Sequence, residues 1–160
     1  MALYAIIRIR GTVDVHPDVE KTLYLLRLRQ KFAASLYPDS LPGLRGMLLK
    51  IENWATWGEI NAETLEELIR RRGRLRGDKP ITDEWVREKL GLEGGIRELS
   101  EKLVKGEILY HKLESYGVKP FFRLHPPRGG FKGSIKKHYK MGGELGYRGP
   151  AINDLIKRML

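Results

Sequence analysis

The first sixty residues change hydrophobic period from one segment to the next, and that alternation constrains the fold more than any other feature of the chain. Residues 3–10, LYAIIRIR, place Leu3, Ala5, Ile7 and Ile9 on one face and Tyr4, Ile6, Arg8 and Arg10 on the other, as a half-buried strand does. Pro17 then suits a first helical position. Val19, Leu23 and Leu26 recur at i, i+4 and i+7, leaving Lys21, Arg27, Arg29 and Lys31 for the outer surface. Residues 32–37 read as a second strand, weakened by Ala33, Ala34 and Ser35. After the turn signals Pro38-Asp39-Ser40 and Pro42-Gly43, Leu44, Leu48 and Ile51 return to helical spacing, and residues 54–60, WATWGEI, read as a third strand. The pattern predicts a β-α-β-α-β unit with both helices on one face of a small sheet and the other face open for a partner. Tyr4, Arg8 and Arg10 are candidates for that open face. Trp54 and Trp57 have odd separation, which in a regular strand points one to the core and the other away; the sequence leaves open which.

The second part is mostly helical. Asn61 caps a helix carrying Leu65, Leu68 and Ile69, Thr82 caps another carrying Val86 and Leu90 that stops at Gly91, and a third carries Ile96, Leu99 and Leu103. Between the first two, the glycines of residues 70–77, RRRGRLRG, are expected to break the helix and leave the arginines on a loop, with Glu66 and Glu67 as partial counter-charges. Phe121, Phe122 and Leu124 suggest a short strand. Pro150 is expected to open a last helix whose Ile152, Leu155, Ile156 and Met159 dock on the body. The predicted class is α+β: a three-stranded β-α-β-α-β core domain over residues 1–60, ferredoxin-like in part, and a mostly helical extension over 61–160. That extension includes a basic glycine-rich loop, 125–149, and a C-terminal helix.

Charge narrows the function. Thirty Lys and Arg stand against 20 Asp and Glu, a net +10 on 160 residues, as expected of a domain that neutralises phosphates. An anionic membrane would also attract this charge, but no helix with a concentrated basic face or lipid-attachment motif is present. The chain has no cysteine, which removes disulfides, Cys-ligated zinc and thiol nucleophiles together. The start, Met1-Ala2-Leu3-Tyr4, leads into a strand-like run with no leader pattern, so a cytoplasmic location is expected.

Residues 125–149, HPPRGGFKGSIKKHYKMGGELGYRG, are too poor in aliphatic side chains and too rich in glycine to build a core of their own. They carry Arg128, Lys132, Lys136, Lys137, Lys140 and Arg148 against one acid, Glu144, interleaved with Phe131, Tyr139 and Tyr147. Cations supply a salt-dependent phosphate term, rings stack on unpaired bases, and glycines let the backbone approach closely. A loop of this kind is expected to take its order from RNA, against the alternative of a solvated basic loop with no partner. The candidate RNA contacts are therefore Arg8, Arg10, Arg27, Arg29, Lys31, Arg45, Lys50, Arg72, Arg74, Arg76, Arg123, His125, Arg128, Phe131, Lys132, Lys136, Lys137, His138, Tyr139, Lys140, Tyr147 and Arg148.

Catalytic readings find little support. His16, His111, His125 and His138 are scattered without an HExxH pattern, no P-loop, G-x-G-x-x-G or G-x-S-x-G occurs, and His111 with Glu114 lacks a third metal ligand. No catalytic residue, metal or cofactor is expected. Gly43-Leu44-Arg45-Gly46 has the G-x-x-G form by which KH domains clamp a nucleic-acid backbone, which keeps a free-standing RNA-binding factor as the rival reading. The same four residues serve equally as a turn entering a helix.

A family resemblance follows from Ile7-Arg8-Ile9-Arg10-Gly11, Thr22-Leu23 with Leu26-Arg27-Leu28, Gly46-Met47-Leu48 with Lys50-Ile51, and Thr56-Trp57-Gly58-Glu59. It continues through Phe122-Arg123-Leu124-His125-Pro126-Pro127-Arg128-Gly129-Gly130 and Gly142-Gly143-Glu144-Leu145-Gly146-Tyr147-Arg148-Gly149 to Ile152-Asn153. In order and spacing these resemble the L-thirty family of large-subunit ribosomal proteins, called L-seven in eukaryotes, in its longer archaeal form. The resemblance implies a three-stranded sheet with helices packed on it, bound to large-subunit rRNA, with five-S rRNA and other large-subunit proteins as neighbours. The small residues Ala33-Ala34-Ser35 depart from the family's second strand.

Overall fold

The computed structural model describes residues 2–11 and 13–160; Met1, where the first expected domain begins, lies outside them. The chain runs β1 (Leu3–Arg8), α1 (Pro17–Leu25), β2 (Ala33–Pro38), α2 (Leu44–Ile51), β3 (Ala55–Glu59), α3 (Ala62–Arg72), α4 (Asp83–Leu90) and α5 (Ile96–Lys105). It continues through β4 (Phe122–Arg123), β5 (Ser134–His138), β6 (Gly143–Tyr147) and α6 (Ile152–Met159), with 3₁₀ turns at Tyr110–Tyr116, Tyr139–Met141 and Gly149–Ala151. The β-α-β-α-β order of the first half and the α+β class are as the sequence predicts.

One six-stranded sheet, in the order β4-β2-β1-β3-β6-β5, holds these elements together. β1 is antiparallel to β2 and β3, and β3 is parallel to β6 through Thr56 opposite Gly146 and Trp57 opposite Tyr147. The expected boundary near residue 60 falls between β3 and α3, yet strands from both sides of it share this sheet.

The face expected to be open is covered. Leu3, Ala5 and Ile7 of β1 pack with Leu65, Leu68 and Ile69 of α3, Leu99 and Leu103 of α5, and Leu155, Ile156 and Met159 of α6. Ile6 points the other way into a second core with Leu23 and Leu26, with Leu44, Leu48 and Ile51 of α2, and with Trp57. Both faces of β1 are therefore covered, and its central Ala5, Ile6 and Ile7 are fully buried. Each such isoleucine contributes roughly 1.5–3 kcal/mol by leaving water.

Local chemistry sets the element ends. The Asn61 side chain accepts from the Thr64 N–H at 2.8 Å to start α3, and Thr82 accepts from the Trp85 N–H at 3.1 Å to start α4, which ends at left-handed Gly91. Buried Asn153 of α6 accepts from the Asn61 N–H and donates to the carbonyls of Glu59 and Pro150, fastening the C-terminal helix to the β3–α3 junction. Three sequence expectations need correction. Arg70, Arg71 and Arg72 stay helical, because α3 ends only at Gly73. Pro150 sits in a 3₁₀ turn and α6 starts two residues later. Trp54 and Trp57 both pack against the α1–α2 core, Trp57 buried and Trp54 half-buried, because Trp54 precedes β3 in a turn where strand alternation does not apply.

Candidate RNA interface

The glycine-rich segment is less bare than its composition suggests. Residues 143–146 are buried in β6, and Arg148 closes a network. Its Nε donates to Thr56 Oγ1 at 2.7 Å and its Nη2 to Glu144 Oε2 at 2.7 Å, while Thr56 Oγ1 donates to the Gly146 carbonyl at 2.8 Å. Glu144 Oε1 accepts from the Gly133 N–H at 2.9 Å, and the Arg148 guanidinium lies 4.9 Å from the centre of the Tyr139 ring. Burial pushes the Glu144 carboxyl up, but hydrogen bonds from Arg148 and Gly133 and the nearby positive charges outweigh it, and the group ends below its ordinary value. The expectation that this segment gets its order only from RNA is thus overturned for residues 143–148. Its interior is supplied by pairing with β3, by one internal ion pair and by the single aliphatic side chain of Leu145.

Two candidate contacts face inward. Arg8, placed by strand alternation on an open face, is fully buried. It donates from Nε to the Arg10 carbonyl at 2.9 Å, from Nη1 to the Leu28 carbonyl at 2.8 Å and from Nη2 to the Gly11 carbonyl at 3.2 Å, with Glu20 3.5 Å away. Every guanidinium nitrogen has an internal acceptor, so the charge clamps the end of β1 to the turn after α1. Arg148 is the second, held as described.

The remaining candidates lie at the surface and fall into groups. Lys136 and Lys137 stand exposed on β5, the outermost strand, where lysines also discourage edge pairing, and Lys132 lies nearby in the same exposed segment. A cleft of about 460 Å³ between α2 and β6 is lined by Tyr4, Arg45, Trp57, His138, Lys140 and Tyr147, with Asp39 and Glu52 as its acids. Here the fold joins four sequence candidates separated by up to a hundred residues: Arg45, His138, Lys140 and Tyr147. The Tyr147 hydroxyl donates to Glu59 Oε1 at 2.5 Å; that bond, burial and the Glu59 charge push its phenol up to about 12. A smaller cavity of about 220 Å³ lies beside the β4 edge, lined by Arg72, Arg74, Asp78, Lys119, Phe121 and Arg123.

Other candidates are scattered or engaged. Arg27 pairs with Glu114 at 3.0 Å, Arg10 donates to the Asn53 carbonyl at 3.3 Å, and Arg29 covers the exposed Tyr24 ring at 4.1 Å. Lys31 lies 5.1 Å from the Phe32 ring, and half-buried Phe131 packs against that same ring at 6.1 Å. Exposed Arg128 donates to the Lys157 carbonyl at 3.1 Å, and the His125 backbone N–H donates to the Met159 carbonyl, so this stretch docks on the end of α6. Lys50 and Arg76 are exposed, Lys50 beside Lys21. Lys119 and Phe121, which line the smaller cavity, are not among the sequence candidates. The run Lys119-Pro120-Phe121-Phe122-Arg123, cations flanking rings, is the local signal by which they could have been found. Gly43 in the G-x-x-G stretch has φ +79° and precedes α2 as a plain helix entry, with a strand rather than a helix before it, which removes the KH arrangement. No helix among the described residues is long and apolar enough to cross a membrane.

A β-α-β-α-β unit extended into a two-faced sheet, with cations gathered along its rims, defines a small basic α+β protein. Residues 4–54, β1 through α2, match the family of ribosomal protein L30p/L7e. Over the full length, the chain is 68% identical to the large ribosomal subunit protein uL30 of Aeropyrum pernix across 160 residues, covering 100% of both chains. It is 68% identical to that of Hyperthermus butylicus, covering 99% of this chain and 90% of the relative, and 61% identical to that of Staphylothermus marinus, covering 99% and 98%. The chain belongs to the L30p/L7e family of ribosomal proteins, in the long form that these archaeal relatives share.

Proposed function

We propose that this protein is a structural constituent of the large ribosomal subunit that binds and stabilises rRNA, and that its work is to hold RNA rather than to turn over a substrate. Full-length identity of 68% to a large-subunit protein carries this reading. The fold is consistent with it: the net charge of +10 is displayed mainly at the surface, on β5, around the α2–β6 cleft and along the β4 edge, while the two inward arginines are satisfied internally. Exposed cations release counterions when they meet phosphates, so affinity falls steeply as salt rises. The proposed RNA contacts are the exposed candidates Arg45, Arg76, Arg123, Lys132, Lys136, Lys137, Lys140 and Tyr147, with the half-buried Arg74 and His138. Five-S rRNA and neighbouring large-subunit proteins are proposed as further contacts, and the cytoplasmic ribosome as the location.

Filter binding of the protein to large-subunit rRNA across a salt series tests this. A log K against log salt slope of several units is expected, and a slope near zero would overturn it. Sedimentation adds a second check: the endogenous protein should travel with large subunits through a moderate-salt wash, whereas a purely soluble pool would favour a free-standing RNA-binding factor.

A further inference from the structure

The cavity beside the β4 edge is built differently from the rest of the basic surface. Its walls are pinned by backbone bonds: the Lys119 N–H donates to the Arg74 carbonyl and the Arg76 N–H to the Gly117 carbonyl, each at 2.9 Å, with Leu75 bridged to Val118. Asp78, the one acid in its wall, is already spoken for by Lys119 at 2.5 Å. Arg70, two residues earlier in α3, is neutralised by Asp83 at 2.9 Å and Glu66 at 3.8 Å. Arg72 has no such relief. Its Nε is buried with no hydrogen-bond partner among the described residues, and burial, then the charges of Arg71 and Arg74, hold its guanidinium below the ordinary value. Like charges left unbalanced around a preformed cavity are a feature that folding alone would remove, and an anion held in the cavity among Arg72, Arg74 and Arg123 would offset them.

The chemistry of the rim identifies the anion. Phe121 is half-buried and presents its ring in the wall, with the Arg123 guanidinium 6.0 Å from its centre. An aromatic face beside a planar cation suits a nucleobase, which the carboxylates of an acidic peptide would not use. The volume of about 220 Å³ lies below the roughly 300 Å³ at which clefts begin to enclose a whole small ligand. It fits a charged group with one ring laid across the mouth.

We propose that this cavity is a nucleotide seat: Arg72, Arg74 and Arg123 hold one phosphodiester of rRNA, and the unpaired base next to it stacks on Phe121. The inference rests on the rRNA-binding reading above and names a site within it.

Filter binding to large-subunit rRNA, with a salt series for each protein, tests it. Arg74→Gln combined with Arg123→Gln should weaken binding by at least tenfold at moderate salt and flatten the log K against log salt slope by roughly 1 for each cation removed. Phe121→Ala should weaken binding roughly 5- to 150-fold and leave the slope unchanged, because stacking releases no counterions. Phe121→Leu, which keeps apolar bulk, should show the same loss with an unaltered melting temperature. Arg72→Gln should weaken binding while its melting temperature holds or rises, since it removes unrelieved repulsion. Arg97→Gln, on an exposed face of α5 away from this cavity, should bind as wild type. Wild-type affinity in the arginine or phenylalanine variants overturns the seat while leaving the rRNA reading intact; a flat slope in the wild-type protein overturns both. Variants that bind rRNA normally but fail to enter large subunits would give the cavity to an acidic protein neighbour and also overturn the proposal.

Discussion

The Glu144 carboxylate and the Arg148 guanidinium meet at 2.7 Å, one helical-turn spacing apart in sequence yet buried together beside Thr56 and Gly133, with at most 5% of either side chain exposed. Breaking a buried pair by removing one partner leaves an uncompensated charge and costs about 3–5 kcal/mol, whereas replacing both with apolar groups is often neutral. Arg148→Met alone should therefore destabilise by about that amount, and Arg148→Met with Glu144→Leu should recover most of the loss. Urea unfolding checks this; simple addition of the two single costs would show that the charges do not act as a pair.

The same carboxylate gives the fold an acid limit. Glu144 titrates below its ordinary value of 4.5 in the folded chain, so its contribution is fully present above that value and is lost as pH falls through the folded one. The melting temperature of the wild-type protein should drop on acidification below about pH 4.5. The double replacement should show a shallower fall, and parallel curves would remove Glu144 as a source of the acid sensitivity.

At the other end of the scale, Tyr147 and Tyr37 should keep their phenol protons late. Tyr147 is pushed up to about 12 by its bond to Glu59, and Tyr37 to about 12 chiefly by burial. Raised folded values make their contributions complete below about pH 10 and lost as pH climbs toward the folded values. Absorbance titration at alkaline pH should show late phenols, of which Tyr147→Phe removes one. Glu59→Gln should bring Tyr147 down toward ordinary behaviour; an unchanged curve in both variants would contradict the bond.

Gly146 sits at φ +82° with its α-carbon against the His138 imidazole, where an added methyl would overlap the ring. Gly146→Ala meets both the left-handed penalty and that overlap, and should cost upwards of about 1 kcal/mol and loosen β5 from β6. Gly129, at φ +75° with open space around it, should tolerate alanine better. Chemical denaturation of the two variants side by side decides the point, and equal costs would leave the His138 contact without effect.

Order in the glycine-rich stretch without RNA is measurable by hydrogen exchange. The Arg148 N–H is bonded to the Trp57 carbonyl and the Gly133 N–H to Glu144, so both should exchange slowly in the free protein, ahead of only the strands of the central sheet. Lys137 on the outer strand should exchange faster. Rapid exchange at Arg148 would restore the view that RNA supplies the order.

The first half was legible because alternation and helical spacing are strong local signals there, and the helix ends of the second half because Asn61, Thr82 and Gly91 mark them by their own chemistry. Arg8 was misplaced for a definite reason. A cation in an alternating strand reads as surface, and its burial depends on the nearby Arg10 and Gly11 carbonyls together with the Leu28 carbonyl and Glu20, which α1 brings back to it. β6 was missed as a strand because Gly-Glu-Leu-Gly-Tyr carries one aliphatic residue, and its pairing with Thr56 and Trp57 spans some ninety positions. Of the basic surface, the exposed lysines of residues 132–140 were readable from composition. The gathering of Arg72, Arg74 and Arg123 with Lys119 and Phe121 was not, since the contact of the 73–80 turn with residues 117–119 that creates it is tertiary.

The strand order has a consequence for how such a chain is made. The first three strands leave two bare rims, at β2 and at β3, and these are closed by β4 and β6 from the far end of the polypeptide. While the molecule is still emerging from the machinery that synthesises it, those rims are available to any stray extended segment, and a product released early keeps them so. Only the longer product covers the β2 and β3 rims, exchanging them for the two-residue β4 and the lysine-bearing β5 as the outer edges.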